Sequence, residues 1–309
     1  MNRRLLGTIQ MTITALIWGT AFVAQSVGMD HVGPWTFICT RNVIGSLVLI
    51  PLIIFLTKAE EKKNREAGME DPVPLTSMAR ADVRKTTIIG GLCCGVFLVS
   101  ASLFQQYGIC ETSVGKAGFI TALYIIIVPF LSIFLKKRIG INEWISAIIA
   151  VAGFYIMSIQ GRPTINRGDI MLLVCAFLYS MQILCIDHFV DHVNPVAMSS
   201  VQFAVSAVVG AVGMFLFEQP AMADIIAAAG PIMYAGFMSS GVAYTLQIVG
   251  QKNLEPTLAS LLMSLESVFA ALAGWVILHQ VMSGKEIIGA LLVFAGVILA
   301  QIPVKTKEA

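Results

Sequence analysis

"GTIQMTITALIWGT" (residues 7–20) and "GDIMLLVCAFLYSM" (residues 168–181) decide the fold, because they are one pattern written twice. Gly7 falls on Gly168, an offset of 161 residues. The register continues from there: "GPWTFICTRNVIGS" falls on "NPVAMSSVQFAVSA", pairing Pro34 with Pro195 and Arg41 with Gln202. Farther on, "ASLFQQYG" falls on "AYTLQIVG" at an offset of 142, pairing Gln105 with Gln247 and, beyond it, Tyr124 with Glu266. The offset shortens by the 19 residues that one polar loop adds to the first copy. A repeat of this length constrains the architecture before any single helix is read.

Each copy has the composition of membrane spans. Of 309 residues, 57% are hydrophobic and 12% charged, whereas a soluble domain carries roughly 25% charged residues. A spanning helix needs about 20 mostly apolar residues. Ten stretches qualify: Leu5–Val27, Pro34–Leu56, Thr86–Tyr107, Val114–Leu135, Glu143–Ile159, Asp169–His188, Pro195–Phe217, Pro231–Val249, Pro256–Leu278 and Glu286–Pro303. Four begin at proline, where a missing backbone N–H costs least. The run after Arg3 and Arg4 is longer than the apolar core of a secretory signal, and "FVAQ" is no cleavage site, so it is read as a retained first span.

Five spans per copy is an odd number, so the second copy enters the membrane from the opposite side. The expected fold is an all-α membrane protein of ten transmembrane helices in two inverted five-helix repeats, residues 5–159 and 168–303. Lys and Arg set the orientation: fifteen fall on one side and four on the other, with Arg41 inside a span. Both termini are therefore placed in the cytoplasm and the chain in the cell (plasma) membrane. Residues 57–85, with mixed charge and two prolines, form a solvated cytoplasmic loop.

The net charge of +2 leaves no footprint for nucleic acid. The six cysteines sit mostly within apolar runs and read as small buried hydrophobes without a disulfide framework. No phosphate-binding loop of the G-x-x-x-x-G-K-[ST] form occurs, which argues against nucleotide-driven work.

"ALIWGTAFVAQ" (15–25), the arginine-bearing "CTRNVIGSLVL" (39–49) and "SLESVFAALAGWVIL" (264–278) resemble the drug/metabolite transporter superfamily, EamA type, and the resemblance covers both repeats. It implies a ten-helix transporter of small metabolites, amino acids or drugs, frequently an exporter. That family commonly has Glu-Pro-Val in the ninth helix. Glu266-Ser267-Val268 keeps the acid and, lacking proline, is expected to lose a kink.

Glu266 lies ten residues into its span, about 15 Å deep at 1.5 Å per residue. An ionised acid there costs roughly 2.5–3.5 kcal/mol, so it must face the bundle interior or water, or be neutral. It reads either as a protonated acid bonded to a neighbouring helix or as a site for a proton or a cationic solute. Ala259, Met263, Ala270 and Ala273 share its face, leaving room for a close helix or a cavity. Arg41, about 10 Å below the outer surface, snorkels outward, pairs with an acid or binds an anionic group, the first two being the plainer readings. Lys116 reads as an interface anchor. The repeat mates Gln105 and Gln247 either line a cavity or bond between helices. Trp18, Tyr124, Tyr179 and Tyr244 are core aromatics or the wall of a solute site.

"DHFVDH" (187–192) puts His188 and His192 at the i, i+4 spacing that suits a metal on a helix, but a solvated helix end is the plainer reading, and no cofactor or metal is expected. The expected function is secondary transport of a small-molecule solute by alternating access, with protons as an optional partner, the lipid bilayer as solvent and a monomer as the favoured state. The substrate-binding set is Glu266, Gln105, Gln247, Tyr124, Trp18, Tyr179, Tyr244 and Arg41. The competing readings are a non-transporting membrane sensor or scaffold and, below it, a metal-dependent membrane enzyme built on the two histidines.

Overall fold

The computed structural model describes residues 3–66, 77–111, 114–137, 139–158, 166–277 and 283–302. Every regular element among them is helical: α1 (Arg3–Gly28), α2 (Pro34–Glu66), α3 (Ser77–Glu111), α4 (Val114–Thr121), α5 (Tyr124–Phe134), α6 (Ile141–Ser158), α7 (Arg167–Phe189), α8 (Pro195–Gly213), α9 (Met222–Ala227), α10 (Ala229–Met233), α11 (Tyr244–Gln251), α12 (Pro256–Met263), α13 (Leu265–Ile277) and α14 (Gly284–Gln301). A π-helical segment, Tyr234–Ala243, joins α10 to α11. The expected cytoplasmic loop 57–85 is helical at its flanks, since α2 continues to Glu66 and α3 begins at Ser77, and its centre, residues 67–76, lies outside the described residues.

Among the described residues, eight helical stretches are long and apolar enough to cross a membrane, and the protein is a multi-pass membrane protein. The other two expected spans are shorter apolar helices, Ile141–Ile156 and Ile287–Ala300. The outward faces are greasy: Phe134 is 72% and Phe217 70% exposed. Such surface is costly in water and costs nothing against lipid tails.

Spans four and nine, read from the sequence as unbroken helices, are each interrupted. α4 gives way to α5 at Ala122–Leu123, and α12 to α13 at Ser264. At the offset of 142 residues Ala122 and Ser264 are repeat mates, so the two copies break at one equivalent position. The break before Glu266 therefore forms without proline, contrary to the expectation from Glu-Ser-Val. Serine provides it. The Ser260 hydroxyl donates to the Thr257 carbonyl (2.8 Å) and the Ser264 hydroxyl to that of Leu261 (2.7 Å), a back-bonding that bends helices. In the first copy the ladder tightens to three-residue spacing, Leu123 N–H to Ile120 O (3.2 Å) and Ile125 N–H to Ala122 O (3.0 Å). Pro129, four residues past Ile125, cannot donate to the next carbonyl.

Packing between the copies is reciprocal. α3 packs on α7 as α1 packs on the π-helical segment and α11; α3 packs on α8 as α2 packs on the π-helical segment; and α1 packs on α13 as α7 packs on α4 and α5. The mates α2 and α8 pack on each other, and so do α6 and α14.

One tie crosses the copies at the end of α8. The left-handed Gln219 (φ 47°) stops the chain there, and Glu218 just before it turns back onto the start of α2. Its carboxylate accepts from Trp35 N–H (2.9 Å), Thr36 N–H (2.8 Å) and the Thr36 hydroxyl (2.7 Å). A negative charge on orphan N–H groups stabilises a helix start by about 1–2 kcal/mol. Glu218→Ala is expected to lose that amount in thermal unfolding of the detergent-purified protein, and Glu218→Gln only part of it. Equal melting temperatures for all three proteins would show that the tie contributes nothing.

Candidate functional site

A small cavity, with about 30 Å³ of free space, lies where the broken helices meet the first helices of each copy. Its walls include all eight residues singled out from the sequence: Trp18 on α1, Arg41 on α2, Gln105 on α3, Tyr124 at the start of α5, Tyr179 on α7, Tyr244 and Gln247 on α11, and Glu266 in the first turn of α13. The breaks explain two of these placements. Each interruption brings the residue two positions later to the head of a half-helix, and those residues are Tyr124 and Glu266.

These two repeat mates bond directly. The Tyr124 hydroxyl donates to Glu266 Oε1 at 2.9 Å, and both side chains are buried. At the next residue, the Ser267 hydroxyl donates to the Gly118 carbonyl on α4 (2.7 Å), pinning the two broken helices together. Glu266 thus faces the bundle interior, as its position in an apolar helix demands. The small-residue face expected around it serves both purposes at once: Met263 lines the cavity, while the Ala270 backbone is approached closely by α1 at Gly19.

A second network centres on Arg41 and Tyr179. Arg41 is 2% exposed and does not snorkel. Its Nη2 donates to the Ser102 hydroxyl (2.9 Å), Ser102 neighbours the Tyr179 hydroxyl (3.3 Å), and Tyr179 donates to Gln105 Oε1 (3.3 Å). The Tyr244 hydroxyl also donates to that of Tyr179 (3.4 Å). Arg41 therefore points inward, because the polar groups of α3 and α7 offer partners that the bilayer does not. Trp18 packs against Tyr244 with ring centroids 4.6 Å apart. Gln247 donates to Gln182 (3.5 Å) and Gln182 to Gln202 (3.3 Å). Gln105 and Gln247 thus both line the cavity and bond between helices, so the two readings offered for them coexist.

Gln25, Gln182 and Ser239 also line the cavity and escaped the sequence reading. Gln25 lies seven residues after Trp18 and Gln182 three after Tyr179, so the helical face of the chosen aromatics pointed to both. Ser239 belongs to the π-helical segment, whose wider turn no sequence period announces.

Other expectations fare differently. α7 ends at Phe189 and a 3₁₀ turn, Val190–His192, follows, so His188 and His192 do not share one regular helix. Both are exposed, and among the described residues no group of three or more metal-ligating side chains forms. Cys93 and Cys110 are exposed at the outer face of the bundle rather than buried, whereas Cys39, Cys94 and Cys175 are buried. The side chain of Lys116 lies outside the described residues. A second, charged cavity of about 650 Å³ lies near Arg3, Lys252 and Glu255, and in its wall Lys137 pairs with Asp187.

The EamA-like transporter family model matches the chain twice, over residues 5–159 and 166–301. A protein of Archaeoglobus fulgidus described as an uncharacterized transporter is 25% identical over 304 residues, covering 98% of this chain and 88% of its own length. The uncharacterized transporter YoaV of Bacillus subtilis is 24% identical, covering 97% of each chain. A solved structure superposes with a TM-score of 0.72 over 96% of both chains at 19% identity, which is a likeness of fold.

Proposed function

Because the chain belongs to the EamA-like transporter family, we propose that it exports a small organic solute by alternating access through the cavity around Glu266. Two inverted five-helix halves exchange conformations about that cavity, driven by the solute's own gradient or by protons rather than ATP. Both termini lie in the cytoplasm and the membrane is the plasma membrane. Trp18, Arg41, Gln105, Tyr124, Tyr179, Tyr244, Gln247 and Glu266 contact the solute, and the protein catalyses no reaction.

The observation that carries this reading is the Tyr124–Glu266 hydrogen bond between repeat mates. Mates that touch lie on the axis relating the two copies, and midplane sites at such an axis on discontinuous helices are a recurring transporter plan. The reciprocal packing of the copies supports the same axis.

Flux into sealed vesicles, across a metabolite panel and a series of pH values, tests it. Glu266→Gln is expected to insert and purify like the parent but to lose about tenfold or more in transport, or its pH dependence. An unchanged rate with an unchanged pH profile would remove Glu266 from the mechanism. A parent protein that moves no solute would favour the sensor reading.

A further inference from the structure

We propose that Cys94 and Cys185 are a redox site, which a peroxide oxidises to a disulfide that ties α3 of the first copy to α7 of the second. The site stands on helix packing and thiol chemistry, independently of the transport reading.

The two thiols meet across the bundle. Cys94 donates to the Cys185 sulfur at 3.4 Å, although 91 residues separate them in the chain. The packing of α3 on α7 explains the meeting. The helices run antiparallel, and glycine sets their approach towards both ends. A Cβ on Gly108 would stand 2.6 Å from Leu172 Cγ, and one on Gly90 3.0 Å from Phe189 Cγ. Cys94 comes four residues after Gly90 and Cys185 four residues before Phe189, so the cysteines form the next rung of the same ladder. A disulfide needs Cα atoms within about 7 Å of each other, whereas helix axes ordinarily keep about 8–10 Å apart. Glycine one turn away relieves that limit. The bond itself is about 2.05 Å long, and rotation about χ1 of the cysteines is the movement that closes it.

The surroundings give the two thiols different parts. Cys94 is fully buried beside Ile186, Val190 and Met198, while Cys185 is half-buried at the edge of that cluster, one turn from the end of α7. A small oxidant therefore reaches Cys185 first, and Cys94 resolves. Cys185 Sγ attacks one oxygen of hydrogen peroxide, the O–O bond breaks, and the thiol proton leaves with the other oxygen as water. Cys94 Sγ then attacks the sulfenic sulfur of Cys185. The S–S bond forms, and the hydroxyl leaves with the Cys94 proton as a second water. Two electrons have passed from the thiols to the peroxide. At the offsets of 142 and 161 residues the repeat mates of Cys94 and Cys185 are Gly236 and Ala24, which carry no sulfur. The bridge thus belongs to one end of the bundle alone, the end that carries Asp187 and Lys137. On the side proposed to be cytoplasmic, disulfides are transient and redox-sensing rather than structural.

Hydrogen peroxide added to the full-length protein in detergent tests this, read by peptide mapping without reductant and by thermal unfolding of the same samples. The expected result is a Cys94–Cys185 crosslinked peptide, an intact mass lower by two hydrogens, and a melting temperature raised by about 5 °C or more. Dithiothreitol should reverse all three. Cys94→Ala and Cys185→Ala should each lose the bridge and the rise, and Cys93→Ala should keep both. Thiols that stay free, or that pass to sulfinic acid without a bridge, would overturn the site. A bridge from Cys185 to Cys93 would overturn the part given to Cys94, and a correct bridge with no rise in melting temperature would overturn the tie between the helices.

Discussion

Gly19→Leu is expected to leave almost no correctly assembled protein. α1 crosses α13 so closely that a Cβ on Gly19 would stand 2.7 Å from the Glu266 carbonyl oxygen and 2.8 Å from the Ala270 nitrogen, against the Phe269 side chain. Two of these neighbours are backbone atoms, which cannot rotate out of the way. A single extra methylene in a close-packed interior costs about 1–3 kcal/mol, so Gly19→Ala should already lower the melting temperature, and leucine adds three more carbons. Size-exclusion of detergent-solubilised protein reads the outcome as loss of the monodisperse peak. Gly284 is the control, since nothing lies within 4 Å of a Cβ placed there, and Gly284→Ala should behave like the parent. A normal profile and melting temperature for Gly19→Leu would mean that α1 does not lie on the Glu266 turn.

The second large effect is expected at Phe203. The ring is fully buried on α8 and meets Tyr244 edge-on, with centroids 5.6 Å apart. Tyr244 in turn supports Trp18 in the cavity wall. Phe203→Ala should cost about 3–5 kcal/mol, the transfer of the ring plus the void left behind. It should also reduce solute transport by more than the fraction unfolded explains, because Tyr244 loses its backing. Phe203→Leu fills most of the space and should recover most of both. Melting curves and vesicle flux on the same preparations check this. A variant that keeps the parent's stability and transport would show that the site does not lean on α8.

Membrane class and element type were legible in the sequence because lipid imposes a length and a polarity on each span. The polar residues of the cavity were legible for the same reason: a glutamate, an arginine or a pair of glutamines inside apolar helices has few places to go but inward. The breaks at Ala122–Leu123 and Ser264 were not. No proline stands at either break, and neither the tightened ladder of the first nor the serine back-bonding of the second alters the hydrophobic pattern of the helix. Which of the three readings of Arg41 holds was not legible for a related reason. Snorkelling is the cheapest choice for an isolated helix, but the decision depended on Ser102 and Tyr179, which reach it from helices distant in sequence. The histidine pair lies at an exposed helix end, its plainer reading, and α7 ends at Phe189 between the two residues.

The bond between Tyr124 and Glu266 has a consequence for motion. A contact between equivalent points of two copies is carried onto itself when the copies trade shapes, so it can persist through a full turnover. In the proposed exchange the tyrosine–glutamate pair is a fulcrum, whereas Lys137 and Asp187 are not equivalent points and the symmetry does not hold them together.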